Sequence, residues 1–279
     1  MATLRELKKR LKSTETTGQL AGAMRTVATA KYRKVNKLYT AYAPYSEALY
    51  GLASLVPPEK AAAAPSCETE TDKPPLYVLV SGNRGLCGGY HHELFAYFSE
   101  EIIKKTPDAL VIACGRMAEE YCREKKLPVL GTFPISDVPD FSEARGLSDR
   151  LLRAFTEGEA SSVSFVCQRF HNMLKQTPET KPFLPPPAPE EEEAEKEVLF
   201  VPSRETVVKE LEPLMLASTV YSILLGCASG VQAATMMAMR SAYDNASRSR
   251  LKLETEINRR RQAEVTASVL ETASDFGEY

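Results

Sequence analysis

Residues 214–271, LMLASTVYSILLGCASGVQAATMMAMRSAYDNASRSRLKLETEINRRRQAEVTASVLE, contain no proline, and none follows before Tyr279. All eighteen prolines lie between Pro44 and Pro213, so the first 43 residues are equally free of them. Proline inside a helix removes a backbone donor and clashes with the preceding turn, at a cost of about 3 kcal/mol. Both ends are rich in Ala, Leu, Met, Lys, Arg and Glu, and both read as long helices. At 1.5 Å per residue the last one spans about 100 Å, against on the order of 30–40 Å for the diameter of a central domain. If the two ends pair, they build one projecting rod, and everything between them is a separate globular body. That shape suits mechanical work better than chemical work.

The N-terminal segment has a seven-residue rhythm. Leu20, Met24, Val27, Lys31, Lys34, Leu38, Tyr42, Tyr45, Leu49 and Leu52 step by 4 and 3 in alternation, the signature of a coiled-coil seam. Leu4, Leu7 and Leu11 form an earlier patch out of phase with it, and Gly18 and Gly22 lie near the shift. Pro44 is placed to bend the helix and Pro57-Pro58 to end it. On the C-terminal segment the seam runs through Ile223, Cys227, Gly230, Ala234 and Met237, then meets Ser241, Asp244 and Arg248 and frays. Small residues such as Ala228, Ala238 and Ala242 let a partner helix approach closely.

Between the ends, strand and helix patterns alternate. PLYVLV, ALVIACG, PVLGTF and SSVSFVCQRF read as strands. HHELFAYFSEEIIKK, RMAEEYCREKK and FSEARGLSDRLLRAF read as helices. This alternation predicts a Rossmann-like α/β domain with a mostly parallel sheet. The expected organisation is an N-terminal coiled-coil helix over 1–56, a central α/β domain over 75–202, and a C-terminal coiled-coil helix over 203–279. The stretch 178–202, PETKPFLPPPAPEEEEAEKEVLFVP, reads as a break: a Pro/Glu-rich loop at 178–197, with VLF as a short strand after it. Its Glu190–Glu197 run is either a solvated loop or an acidic docking segment.

Composition bounds the function. The net charge of −2 gives no bulk basic bias towards nucleic acid. Residues 1–38 nevertheless hold ten Lys or Arg against Glu6 and Glu15, a net of +8, so this helix either has a solvated basic face or seeks an acidic partner. No unbroken run of 18 apolar residues exists, so no transmembrane helix is expected. The N-terminus lacks an apolar signal segment and an obvious transit peptide. The six cysteines (Cys67, Cys87, Cys114, Cys122, Cys167 and Cys227) show no CxxC spacing and read as buried free thiols.

One motif invites a chemical reading. SGNRGLCGG, Ser81–Gly89, follows a strand and precedes a helix, where phosphate-binding loops belong. Its spacing, GxxGxxGG, is neither GxGxxG nor GxxxxGK[ST], and the second strand ends in Cys114-Gly115-Arg116 without an acidic residue. A tight structural turn through Arg84, Gly85, Leu86, Cys87, Gly88 and Gly89 is the better reading. His91 and His92 are adjacent and diverge on a helix, and His171 is alone, so no metal site is expected. No catalytic triad is readable, and no active site or cofactor is expected on this chain. Arg259, Arg260 and Arg261, followed by Gln262, fan over roughly 200° of a helix and could grip carboxylates from several directions.

Three stretches carry a resemblance. SGNRGLCGGYHHELF is similar to the STDRGLCGG-type loop of the gamma subunits of rotary ATP synthases. AGAMRTVATAKYRK resembles their N-terminal AM-x-MVAAxKxR segment. MAMRSAYDNASRSRLKLETEINRRRQAEVTASVLE resembles their C-terminal signature. The motifs occur in the family's order from Leu4 to Glu271. The resemblance implies the central rotor shaft of a proton-translocating F-type ATP synthase, which couples rotation of the membrane c-ring to cycling of the catalytic beta subunits. It implies as partners three alpha and three beta subunits, an epsilon subunit and the c-ring, with membrane association only through the complex. A beta-subunit contact is implied at Arg260, Arg261 and Gln262, with Met24, Lys31, Arg33 and Lys34 near lower beta contacts. The implied location is the cytoplasmic face of a bacterial membrane, or alternatively the matrix side of the mitochondrial inner membrane. The chain departs from the family where Asn83 replaces an Asp, Gly22 replaces a Lys, and Ser229–Met236 loses a Glu and an Arg. The competing expectation is a nucleotide-binding α/β enzyme with coiled-coil oligomerisation arms.

Overall fold

The computed structural model describes residues 3–54, 73–185, 201 and 203–275. Its elements are α1 (Leu4–Ser54), β1 (Leu76–Val80), α2 (Tyr90–Tyr97) continued by a π-helical turn over Phe98–Ile103, β2 (Leu110–Cys114), α3 (Arg116–Lys125), β3 (Val129–Phe133), α4 (Phe141–Thr156), β4 (Val163–Phe170), β5 (Gln176–Leu184) and α5 (Arg204–Asp275). The Pro57-Pro58 stop, the Glu190–Glu197 run and the VLF strand fall outside the described residues. Residues 1–28 with 236–279 form one compact unit, and residues 29–235 form the other. Both long helices contribute to both units.

In the 29–235 unit the sheet order is β3-β2-β1-β4-β5. The first four strands are parallel, and β5 pairs antiparallel with β4 on the edge. Central β1 is apolar on both faces because both are covered. Its Leu76, Val78 and Val80 enter a core with Ile112, Leu147, Phe165, Val220 and Leu224. Its Leu79 enters the opposite core with Leu94, Phe98, Val111 and Val166. Helices α2 and α3 therefore cover one face, while α4, α5 and part of α1 cover the other.

The break expected from residue 178 starts later. Residues 178–184 are part of β5, with Pro178 opposite Gln168 and Pro182 opposite Ser164. An edge strand has one side free of the ladder, so proline's missing donor is tolerated there, and it also guards the edge against further pairing.

Helix α5 is buried almost all round from Leu216 to Ala233. Within Lys209–Leu270 one 18-residue window reaches a mean hydropathy of 1.7, enough by length and composition to cross a membrane. Of that window 67% is buried inside the protein, as a core helix between a sheet and a second helix would be. The absence of an unbroken apolar run was too coarse a test for this segment.

In the 1–28 and 236–279 unit the helices run antiparallel. A Cβ added at Gly18 would lie 3.2 Å from Ala246 Cβ, and one at Gly22 would lie 3.4 Å from the Tyr243 ring. The Arg25 guanidinium stands 5.2 Å from the Tyr243 ring centre, within cation–π range.

As far as Tyr39 the seam on α1 is one position away from the expected one; beyond it the two share Tyr42 and Leu49. Leu7, Leu11, Thr14, Gly18, Ala21, Arg25, Ala28, Tyr32, Val35, Tyr39, Tyr42, Ser46 and Leu49 are buried or half-buried, in unbroken steps of 4 and 3. Leu7 and Leu11 begin this series and do not lie out of phase. Leu20, Val27, Leu38, Tyr45 and Leu52 are exposed instead. Close helix approach at Gly18 and Ala246 leaves no room for large side chains, so small residues take the seam. On α5, Ser241, Asp244 and Arg248 are exposed, while Ala242, Ala246, Leu253, Ile257 and Arg260 are half-buried. The seam does thin as expected, slightly further on: Ser247–Lys252 are all exposed, and half-buried positions resume at Leu253.

Candidate functional site

The glycine loop leaves the carboxyl end of β1, beside the carboxyl ends of β2 and β3. In open α/β sheets the ligand crevice lies where strand order reverses, here between β1 and β4. Helix α5 fills that place. A Cβ at Gly82 would fall 3.0 and 3.2 Å from the two Cγ atoms of Val231, and one at Gly230 would fall 3.1 Å from the Tyr90 ring. Cys87, Tyr90 and Val231 form a small buried cluster. The Tyr90 hydroxyl donates to the Cys227 carbonyl at 3.3 Å, and Gln168 Nε2 donates to the Tyr90 carbonyl at 3.1 Å. The cavity left beside Gly82 and Asn83 measures about 20 Å³, whereas small-molecule sites occupy roughly 300–1,000 Å³. The loop thus lets a helix approach closely, and α5 occupies the place where a phosphate would lie. Leu86 and Gly88 both take positive φ, 63° each. Arg84, Gly85 and Leu86 are exposed, and so are Gly88 and Gly89.

Beside this loop is a polar cluster that the sequence did not announce. Lys31 of α1 forms an ion pair with Asp137, which lies in the connection from β3 to α4. Asn83 Nδ2 donates to the Ile135 carbonyl at 2.6 Å and reaches Asp137 Oδ1 at 3.4 Å. Asn83 Oδ1 accepts the Arg116 backbone N–H at 3.2 Å, serving an orphan donor in the first turn of α3. Ser81 Oγ accepts the Ala118 N–H at 2.7 Å. Burial pushes the Asp137 carboxyl up, but the Lys31 hydrogen bond and charge, the Asn83 amide and the Arg84 charge together hold it below its ordinary value. Lys31 and Asp137 are 106 residues apart, and no local pattern links them.

The histidines do not converge. His91 is buried, its Nε2 lies 3.2 Å from the Arg84 carbonyl, and burial pushes its pKa down. His92 is exposed, and His171 Nε2 meets Thr177 Oγ1 at 2.8 Å. Among the described residues no group of three or more His, Cys, Asp or Glu could hold a metal ion. An open groove of about 420 Å³ runs between α1, β4, β5 and α5. On its rim Arg169 pairs with Glu179 at 3.5 Å. The hydrogen bond to Cys167, together with burial, pushes the Cys227 thiol on its lining well up, which holds that thiol protonated rather than nucleophilic.

The other sequence-derived positions lie on the long helices. Met24 is half-buried, and Arg33 and Lys34 are exposed. The Lys31 ammonium is taken by Asp137. Arg260 is half-buried as the last seam position of α5, and every residue from Arg261 to Leu270 is exposed. Leu4 opens α1, and among the described residues no helix pairs with α5 beyond it. That stretch presents Arg261, Gln262, Val265, Val269 and Leu270 to solvent. Arg260 and Arg261 have no ion-pair partner among the described residues.

A model of the family described as ATP synthase matches residues 3–275. The ATP synthase gamma chain of Moorella thermoacetica is 32% identical over 276 residues, covering 97% of each chain. That of Desulforamulus reducens is 30% identical over 275 residues, again covering 97% of each. A chain in the Euglena gracilis mitochondrial ATP synthase structure of OSCP, F1 and c-ring superposes with a TM-score of 0.68. It is 15% identical and covers 98% of this chain and 93% of that one, a likeness of fold.

Proposed function

The chain belongs to the ATP synthase family as a gamma chain, and from that premise we propose that it works as the central rotor shaft of a proton-translocating F-type enzyme. Rotation of a membrane c-ring is passed through it to the catalytic beta subunits, whose nucleotide affinities it changes in turn. The observation that carries this reading is the antiparallel helix pair from which α5 emerges as a single, fully exposed helix over residues 261–270. Such an end can enter a ring of subunits. Its contacts are exposed and individually weak, on the order of 0–1 kcal/mol for a surface ion pair, so each can be released as the shaft turns.

The partners are three alpha and three beta subunits around the helices, with an epsilon subunit and the c-ring at the central domain. The chain is a peripheral subunit of a membrane complex, and the cytoplasmic face is the side we assign to it. Arg260, Arg261 and Gln262 meet acidic groups of beta, and Met24, Arg33 and Lys34 face beta lower on the shaft. Lys31 shares their stretch of α1, but its charge is already neutralised inside the chain by Asp137. The nucleotide-binding alternative is set aside because α5 fills the crevice such an enzyme would need.

Co-expression with the alpha and beta chains of a bacterial F-type enzyme tests the reading. A complex with ATPase activity dependent on this chain is expected. Failure to form any complex, with the chain itself folded, would overturn it.

A further inference from the structure

We propose that Lys31, Asp137 and Asn83 form the clamp that fixes the rotational setting of α1 on the central domain, so that torque reaches the shaft through both long helices. The inference rests on the shaft reading. If the central domain is turned by the c-ring, rotation must pass from the sheet into α1 and α5. Helix α5 is gripped from every side between Leu216 and Ala233. Helix α1 is not. In the 29–235 unit it buries one stripe only, through Val35, Tyr39, Tyr42, Ser46 and Leu49. Apolar contact is non-directional: it opposes separation of two surfaces better than it opposes one rolling over the other. A charged hydrogen bond has a preferred direction and resists rolling.

Lys31 supplies that direction. It sits one position off the buried stripe, beside Tyr32, and reaches sideways to Asp137. Its receptor is itself held in place. Asn83 reaches Asp137 with one amide proton, donates to the Ile135 carbonyl, and accepts from the Arg116 N–H. This ties the connection after β3 to the loop after β1 and to the start of α3. The Met117 N–H donates to the Gly82 carbonyl at 3.1 Å, and the Gly115 N–H donates to the Phe133 carbonyl at 3.1 Å, so three strand ends are laced together under the ammonium. The Lys31 and Asp137 side chains are only 30% and 25% exposed, so solvent screens the pair less than it screens a surface pair. The cluster thus has the features of a joint: a charged arm on the helix, and a receptor braced by several elements of the sheet domain.

The test uses this chain assembled with alpha and beta subunits, the ring immobilised and a bead tethered to the central domain. Angular fluctuations of the bead during the pauses of ATP-driven rotation report how stiffly the domain is joined to the shaft. Lys31→Met with Asp137→Met is the decisive variant, because removing both charges leaves no orphan charge and commonly keeps stability. The expected result is a wider angular spread at an unchanged thermal midpoint. Asn83→Ala is expected to widen it less than the double variant does. An unchanged spread in the double variant would overturn the clamp. So would a spread that widens only in proportion to a lowered midpoint, since that would reduce the cluster to a fold contact. If the double variant fails to assemble, Lys31→Arg and Asn83→Ala are read in its place, and a normal spread in Asn83→Ala would then overturn the proposal. Failure of the unaltered chain to assemble would instead strike the shaft reading.

Discussion

Which face of α1 packs on α5 can be settled with two neighbouring substitutions. Leu20 and Ala21 are adjacent, but Ala21 is 5% exposed and Leu20 is 60% exposed. Replacing each in turn with Glu changes helix propensity little, because Ala, Leu and Glu are all good helix formers. The difference is therefore one of packing. Full burial of a leucine is worth about 1.5–3 kcal/mol. With about 40% of its surface covered, Leu20→Glu should cost about 0.6–1.2 kcal/mol on that scale. Ala21→Glu puts a carboxylate into a seam where Gly18 and Ala246 already approach closely. An unpaired buried charge costs about 3–5 kcal/mol, and relief by bending the side chain outward would still leave overpacking of about 1–3 kcal/mol. The assay is urea unfolding of the full chain followed by far-ultraviolet circular dichroism. Ala21→Glu should shift the midpoint further than Leu20→Glu, and at least twice as far where its carboxylate stays in the seam. Equal shifts, or a larger shift for Leu20→Glu, would refute the seam through Gly18, Ala21 and Ala28 and restore the one through Leu20 and Val27.

Three further outcomes follow from the geometry. Gly115→Ala should destabilise the chain by more than about 2 kcal/mol, because Gly115 has φ of 87° and an added Cβ would fall 2.4 Å from the Ser81 carbonyl oxygen; thermal denaturation measures it. The Asp137 carboxyl titrates below its ordinary value when folded, so its contribution is full above the unfolded pKa of about 3.9. That contribution is lost as pH falls through the lower folded value, and Asp137→Asn should flatten stability on this acid limb while leaving its slope near neutrality unchanged. Arg261→Ala combined with Gln262→Ala lies on a fully exposed stretch of α5 and should change stability by less than about 0.5 kcal/mol. In the assembled complex it should lower coupled ATP turnover, and parallel loss of fold and turnover would argue against a beta contact there.

The sheet domain was legible because its signals are local. PLYVLV, ALVIACG and SSVSFVCQRF are apolar runs of strand length between helical stretches, and burial on both faces of a parallel sheet demands that pattern. The glycine loop was legible as a turn from its spacing, although its reason, the approach of Val231 to Gly82, was not. Strand β5 was missed because proline reads as a breaker until its edge position is known.

The two long helices were legible in sequence alone, since each holds a long proline-free run of good helix formers; the prolines they do contain, Pro44 towards the end of α1 and Pro213 in the early turns of α5, stand outside those runs. The face each helix turns to its partner was not. A seam is chosen by the distance between two helix axes, and that distance depends on which residues meet across it. The pattern of large apolar side chains pointed to Leu20 and Val27; the close meeting of Gly18 with Ala246 moved the seam to Ala21 and Ala28. Lys31 shows the same limit. By sequence it is one of ten basic residues on a helix, and only folding brings Asp137 and Asn83 to it, because an ion pair depends on distance in space and not along the chain.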